Sequence, residues 1–414
     1  MKPGALAPQD EPRSRRLKVL YLISPSGKGM GGHNHSFRTT VQTLGGHLEA
    51  VGVTVGTITS PVHAVPGQRV HLLAARSSAF LDRLRIWPEL LRLARQEQPD
   101  VVHAFDPNSF FFGRRLALAL GCAAVLTKCG GPNPAKYFPV PDDLVVFSEE
   151  DLGYFRCHRR FQTTRLHLIP NRVRAIEPDP GLLNALSALL PDDGPVLLRI
   201  ARLGPFHEES VLQTTRLAHR LRQDGHKVRL LLIGFAEHPG THRRVQQALG
   251  PGDCLLTEPP FTVNASRLVD VGDLVVGTGR SLMEAASRGR ILLAPIQGGE
   301  IPVLLTSENW RHLFRTNFSQ RSTIPGYCED DNYREIRRAL AEPAQTEALR
   351  RLARSLFEEH FSIESAVPRY LDLYHHALSH RTRRWLDLGR QWLDLFLRQA
   401  LARRPPPCRE APGE

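Results

Sequence analysis

The sequence predicts an α/β protein made of two consecutive Rossmann-like halves. Three observations predict it. At 414 residues, 41% apolar and 23% charged, the chain exceeds what one hydrophobic core usually organises, so two domains are the natural expectation. Apolar runs of strand length alternate with stretches of helical period, the pattern of parallel α/β layers rather than of sandwiches or bundles. The alternation pauses once, at residues 172–194, where several Pro, Asp and Gly surround a short leucine-rich piece, and then begins again.

In the first half, residues 17–24 are apolar enough for a strand covered on both faces. A strand over 51–58, a helix over 87–96, a strand over 100–105, a helix around 114–120 and short strands at 123–127 and 144–147 follow, and the half closes at Leu168-Ile169-Pro170-Asn171. Past the linker region, strand-like runs stand at 195–202, 228–234, 253–256, 273–276 and 291–295. In open parallel sheets ligands sit outside the carboxyl ends of the strands, so the residues just after each run are the ones to inspect.

Composition limits the partners. The net charge of +12 implies attraction to something anionic: a nucleoside diphosphate, anionic lipid or nucleic acid. No zinc-finger spacing or RNA-binding aromatic signature accompanies it, so no nucleic-acid partner is expected. No run approaches the roughly 18 apolar residues of a membrane span, and residues 1–16 read as a disordered polar leader on a cytoplasmic protein. Cys122, Cys129, Cys157, Cys254, Cys328 and Cys408 show neither C-x-x-C pairs nor repeated spacing, which argues against a zinc site and a disulfide framework. His33 and His35 lack a third ligand at fixed spacing, so no metal is expected there, and Cys129 has no general-base partner in sequence.

The most informative segment is 275–289. A strand ends, Gly277 and Gly279 let the backbone approach a ligand, and a helix begins at Ser281 with its amides toward an anion. Thr278, Gly279, Arg280, Ser281 and Leu282 would form this phosphate cradle, with Arg280 adding charge and Glu284 reaching ribose hydroxyls one turn later. The competing reading is a strand, turn and helix with an ordinary serine cap. Lys128, Gly130 and Gly131 follow another strand and would shape an acceptor site, or form a plain Gly-Pro loop. Gln297-Gly298-Gly299-Glu300, after the next strand, would make a tight turn.

Residues 277–289, followed by Arg290-Ile291-Leu292-Leu293-Ala294, resemble the glycine-rich turn, glutamate-bearing helix and next strand of retaining glycosyltransferase family 4, the glycosyl transferases group 1. Gly31-Gly32, the run from Asp100 through Val101, Val102, His103, Ala104, Phe105 and Asp106 to Pro107, Ile169-Pro170-Asn171 and Ile200-Ala201-Arg202-Leu203 agree in order along residues 17–376. The resemblance implies a GT-B fold, two Rossmann-like domains facing across a cleft, with a C-terminal helical extension. It divides the chain after the leader into an acceptor domain over 17–175, a donor-nucleotide domain over 176–360, a helix over 361–379 crossing back to the first domain, and a basic tail over 380–414.

It also implies roles. Arg202 matches the diphosphate-binding arginine, Glu284 the second of two paired glutamates, and Gly31 and Gly32 the glycines that bring the first domain's loop to phosphate or acceptor. Three positions depart: Val276 stands for the first glutamate, His207 for the phosphate lysine and Phe105 for a histidine beside the donor sugar. A protonated His207 would replace the lysine. His103 and Asp106 remain near the expected sugar position, or are strand-end residues bonded to backbone. The implied activity is metal- and cofactor-independent transfer of a hexose, with retention, from a nucleotide-sugar to a glycan or lipid-linked hydroxyl acceptor. The rival is a non-catalytic GT-B binding or assembly partner; an epimerase of related architecture lacks an evident acid/base pair.

The tail reads as an amphipathic helix. Trp385, Leu388, Trp392, Leu395 and Phe396 fall on one stripe with Leu386, Leu393 and Leu397 beside it, and Asp387, Arg390, Gln391, Asp394 and Arg398 lie opposite. Eight arginines against four acidic residues over 380–414 suit an anionic membrane surface at the inner face of the membrane. Packing of the stripe on the protein's own surface or on a second subunit is the alternative, and Asp387 and Asp394 dilute the basic character.

Overall fold

The computed structural model describes residues 16–25, 31–56, 60–63, 69–75, 84–134, 137–190, 194–380 and 385–402. The expected leader up to residue 15, the end of the expected strand over 51–58, and Cys408 lie outside the described residues.

The first half contributes β1 (Lys18–Ile23), α1 (Gly32–Leu44), β2 (Glu49–Gly56), β3 (Val70–Ala74), α2 (Trp87–Glu97), β4 (Val101–Ala104), α3 (Pro107–Leu120), β5 (Ala123–Lys128), β6 (Asp143–Val146), α4 (Glu149–Cys157) and β7 (Arg165–Leu168). These strands form one sheet in the order β3-β2-β1-β4-β5-β6-β7. The pairs β1–β2, β2–β3, β1–β4, β4–β5 and β6–β7 run parallel. Helix α3 begins two turns earlier than the expected 114–120, because Asp106 caps it and Pro107 occupies its first turn. Three successive phenylalanines, Phe110 to Phe112, are buried there and hide the helical period.

Past the linker come α5 (Pro180–Ser187), β8 (Val196–Ile200), α6 (Glu208–Gln223), β9 (Arg229–Ile233), α7 (Pro239–Gln247), β10 (Cys254–Leu256), β11 (Leu274–Val276), α8 (Arg280–Ser287), β12 (Ile291–Ala294), β13 (Val303–Leu304), α9 (Trp310–Phe314), α10 (Glu329–Ala341), α11 (Pro343–Leu356), α12 (Val367–Ser379) and α13 (Trp385–Ala402). The second sheet has the order β10-β9-β8-β11-β12-β13, parallel but for the β12–β13 edge pair. Alternate strand residues face opposite cores, as a pleat requires. Leu198, Leu231, Val275 and Leu292 pack with Leu282 and Met283 of α8, whereas Leu197, Leu230, Leu274 and Leu293 pack with Val211 and Leu217 of α6. Helices therefore cover both faces, and the order of each sheet reverses once, between β1 and β4 and between β8 and β11.

The chain forms two compact units. One comprises the described residues up to Leu126, Tyr137–Asp142 and those from Tyr374 onward; the other comprises Thr127–Lys136 and Asp143–Leu373.

Within the first unit, α13 turns its faces opposite to the usual arrangement of an amphipathic helix. Asp387 and Gln391, expected on the outer polar face, are 9% and 2% exposed, whereas Leu386 is 88% exposed. The reason is a set of partners distant in sequence. Asp387 accepts from Arg114, from the Val140 amide at 3.0 Å and from the Tyr137 hydroxyl at 2.8 Å, and the Gln391 amide donates to the Pro107 carbonyl at 2.7 Å. Arg114 is itself 5% exposed, and burying a cation is costly unless such a partner offsets it.

Candidate functional site

The reversal in strand order between β8 and β11 is where an open α/β sheet offers a ligand crevice. Arg199 and Val276 are paired neighbours across these two strands. Arg199 is 1% exposed, and among the described residues no carboxylate holds it: Nη1 donates to the Val276 carbonyl at 3.1 Å and Nη2 to the Ser210 hydroxyl at 2.9 Å, while Nε has no partner. Burial lowers its pKa to about 10, which still leaves it charged at neutral pH. A cation without a counter-charge thus lies beside the first turn of α6, whose amides add positive potential.

The loop after β8 carries Arg202 and His207. Arg202 donates through Nη1 to Glu237 at 2.9 Å and through Nη2 toward His207 Nε2 at 3.3 Å. A guanidinium only donates, so Nε2 must offer a lone pair and the imidazole is neutral. Burial, then Arg199 and Arg202, lower its pKa to about 3. Burial and the two arginines keep His207 neutral here, so a cationic His207 in place of lysine would need an anionic phosphate beside it to offset them.

After β11 the chain turns on two glycines. A Cβ on Gly277 would stand 2.5 Å from the backbone of Leu282, and Gly279 has φ +51°, so neither position accepts a side chain without rearrangement. The Thr278 amide donates to the Ser281 hydroxyl at 3.0 Å, and that hydroxyl donates back to the Thr278 carbonyl at 3.1 Å. Leu282 is buried in the core and fixes the first turn of α8. Arg280 reaches the Glu284 carboxylate at 3.1 Å and the Arg172 carbonyl at 3.1 Å. Burial pushes the Glu284 pKa up, and Arg280 opposes that.

Lys128, Gly130 and Gly131 belong to the same unit. Lys128 is 7% exposed and donates to Asp151 at 2.8 Å and to the carbonyls of Gly130 and Gly131 at 2.9 and 3.2 Å. It ties down its own loop. Asn317, which no sequence motif marks, joins that loop to the glycine turn. Its carbonyl accepts from the Gly279 amide at 3.1 Å, and a Cβ on Gly279 or Gly130 would lie 3.2 or 3.9 Å from its Nδ2. Asn317 and Phe318 both have positive φ, 56° and 54°, a conformation that asparagine tolerates and phenylalanine rarely adopts. Arg321 grips Glu150 through Nε at 3.1 Å and Nη2 at 2.7 Å and points Nη2 at the Gly131 carbonyl, while Gln320 donates to the Phe206 carbonyl at 2.6 Å. The loops bearing Arg202 and His207, Thr278 to Glu284, and Lys128 to Gly131 are thereby linked through residues 317–321.

The other candidates sit in the first unit. Gly31 caps α1 with its carbonyl, accepting from the Asn34 amide at 2.9 Å, and Gly32 opens the helix. Asp106 caps α3: one oxygen accepts from the Asn108 and Ser109 amides at 2.9 Å, the other from the Ser24 amide at 2.7 Å and the Ser109 hydroxyl at 2.8 Å. Burial pushes its pKa up against those donors. His103 has no exposed surface and shares a 2.8 Å bond with the Tyr374 hydroxyl; Phe105 beside it is 1% exposed. Both rings are packed into the core of this unit and face one another at 4.8 Å.

Burial lowers the His103 pKa from 6.5 to about 3. Between those values the unfolded chain binds a proton that the folded chain refuses, so stability is full above pH 6.5 and falls as pH drops toward 3. From pH 7 to 5 this one group is expected to remove about 2 kcal/mol, at about 1.4 kcal/mol per unit below the unfolded value. Urea unfolding at the two pH values checks it: His103→Gln should lose that part of the pH dependence, and an unchanged slope would remove His103 as its source.

No family model and no curated protein matches the sequence. Solved structures do match in shape. A glycosyltransferase from Rickettsia africae superposes with TM-score 0.63 at 13% identity, over 88% of this chain and 100% of that one. HepE from Anabaena, solved with UDP and glucose, gives 0.63 at 15% identity over 87% and 100%. The catalytic domain of starch synthase IV from Arabidopsis thaliana, bound to ADP and acarbose, gives 0.61 at 14% identity over 88% and 100%. The fold is that of GT-B glycosyltransferases, with two Rossmann-like sheets and added C-terminal helices.

Proposed function

We propose that this GT-B protein is a glycosyltransferase that moves a hexose from a nucleoside-diphosphate sugar to a hydroxyl of a glycan or lipid-linked acceptor, with retention, in polysaccharide or glycolipid assembly. The observation that carries the reading is the convergence of Arg199, Arg202 and a glycine-hinged helix start at the strand-order reversal of the second sheet. Residues 176–360 would bind the donor nucleotide and residues 17–175 the acceptor, through Gly31, Gly32 and the loop at Lys128 to Gly131.

The chemistry asks chiefly for stabilisation of the leaving diphosphate. Arg202 would contact it directly after releasing Glu237, the amides of Thr278 to Leu282 would cradle it, and Arg199 would supply potential from below. Neutral His207 would donate a hydrogen bond rather than charge. Glu284, steadied by Arg280, would accept from the ribose. The departing phosphate oxygen can take the acceptor's proton, so no protein base is required, and buried His103 and half-buried Asp106 would serve by shaping the strand end rather than by proton transfer.

One observation favours a second reading. Val276 and Phe105 are buried apolar residues and His207 is neutral, so three positions lack the polar or charged group of the resemblance, as a nucleotide-sugar-binding protein without turnover would show. A binding and turnover screen of nucleotide-sugars separates the two, since turnover of any one donor ends the second reading. In that assay Arg202→Ala and Glu284→Ala are each expected to weaken donor binding about tenfold, the lower end for a charge-assisted bond at a partly exposed site. Unchanged affinity in both would mean the donor binds elsewhere.

A further inference from the structure

We infer that α13 is a docking surface for an anionic lipid membrane, held with its apolar face outward by a buried ion pair. This holds whatever reaction the protein performs. Among the described residues nine large hydrophobic side chains are exposed, and five of them, Leu386, Trp392, Leu393, Phe396 and Leu397, lie on this one helix. At 100° per residue they fall on the side opposite Asp387 and Gln391. The arrangement is specified rather than incidental. Rolling the helix to hide its apolar face would draw Asp387 out of reach of Arg114, the Val140 amide and the Tyr137 hydroxyl, and strand a buried guanidinium.

Charge selects the occupant. Positions 380–414 hold eight arginines and four acidic residues, an excess of four, and one of those acids, Asp387, is set against the buried Arg114. Arg390 is exposed beside the apolar stripe. Two copies of a segment with this excess would repel each other, whereas a surface of anionic headgroups would attract it. Trp392, stacked on Phe396 with ring centroids 5.8 Å apart, places an indole where the headgroup boundary favours one. No helix among the described residues is long and apolar enough to cross a membrane, so the helix would lie in the plane of the interface.

Co-sedimentation of the full chain with vesicles of phosphatidylcholine, alone or mixed with phosphatidylglycerol, tests this. The protein should bind the mixed vesicles, bind pure phosphatidylcholine far less, and be released by added salt. Leu393→Glu with Phe396→Glu, both at exposed sites and so compatible with the fold, should weaken binding at least about tenfold. Leu189→Glu, equally exposed outside this helix, should change nothing. Binding of the double variant equal to the parent, or no binding of the parent to mixed vesicles at low salt, overturns the proposal. So does a parent dimer that the double variant splits, which would make the face a surface for a second copy.

Discussion

Lys128→Ala is expected to lower the stability of the second unit by about 3–5 kcal/mol, the usual consequence of removing one member of a buried ion pair. Lys128 and Asp151 have side chains 8% and 0% exposed, and the carboxylate left behind would have lost its only cation within hydrogen-bonding distance among the described residues. The loop carbonyls of Gly130 and Gly131 would lose the same donor. Urea unfolding of the variant measures the loss. Were Lys128 instead an exposed acceptor-binding cation, its removal would leave the unfolding midpoint within about 0.5 kcal/mol of the parent. A double replacement, Lys128→Met with Asp151→Leu, should restore most of the stability, because two apolar groups leave no unpaired charge.

Arg199→Met should act in the opposite sense. Nucleoside-diphosphate affinity is expected to fall ten- to a hundredfold, or about 1.5–3 kcal/mol, when a charge in a low-dielectric surround is withdrawn from beneath the phosphates. Stability should stay within about 1 kcal/mol of the parent or rise, since an unbalanced buried charge is replaced by an apolar chain of similar length. Calorimetric titration with UDP or ADP, alongside urea unfolding, reads both quantities. A large stability loss with unchanged affinity would show that Arg199 serves only the carbonyl of Val276 and the hydroxyl of Ser210.

Much of the architecture was legible because parallel strands buried on both faces advertise themselves as apolar runs. The strands β1, β4, β8, β9, β11 and β12 all fall inside the runs read from the sequence. Helix α1 did not show, because its buried face mixes the apolar Phe37, Val41 and Leu44 with the polar Asn34, Ser36, Thr39 and Thr40, which mask the period. In α13 the period was visible but its direction was not: Asp387 is made an inward residue by Arg114, 273 positions away. The same limit governs the site. Glu284 and Arg280 are four residues apart on one helix, so their meeting could be anticipated. The Lys128–Asp151, His103–Tyr374 and Gly279–Asn317 contacts depend on chain segments that only folding brings together. Asn317 carried no signal beyond its tolerance of a left-handed backbone.

The Arg202–Glu237 pair sets the terms on which any phosphate would enter. At 2.9 Å, with side chains 38% and 42% exposed, it is a contact that water and ions reach. An incoming diphosphate would trade places with a carboxylate rather than fill an empty positive pocket, so the occupancy of Arg202 becomes a competition between a tethered anion and a free one. Such counter-ion exchange would favour a ligand of greater charge, so a diphosphate would displace Glu237 more readily than an uncharged sugar. Once such a ligand left, the tethered carboxylate would be at hand to take the arginine back.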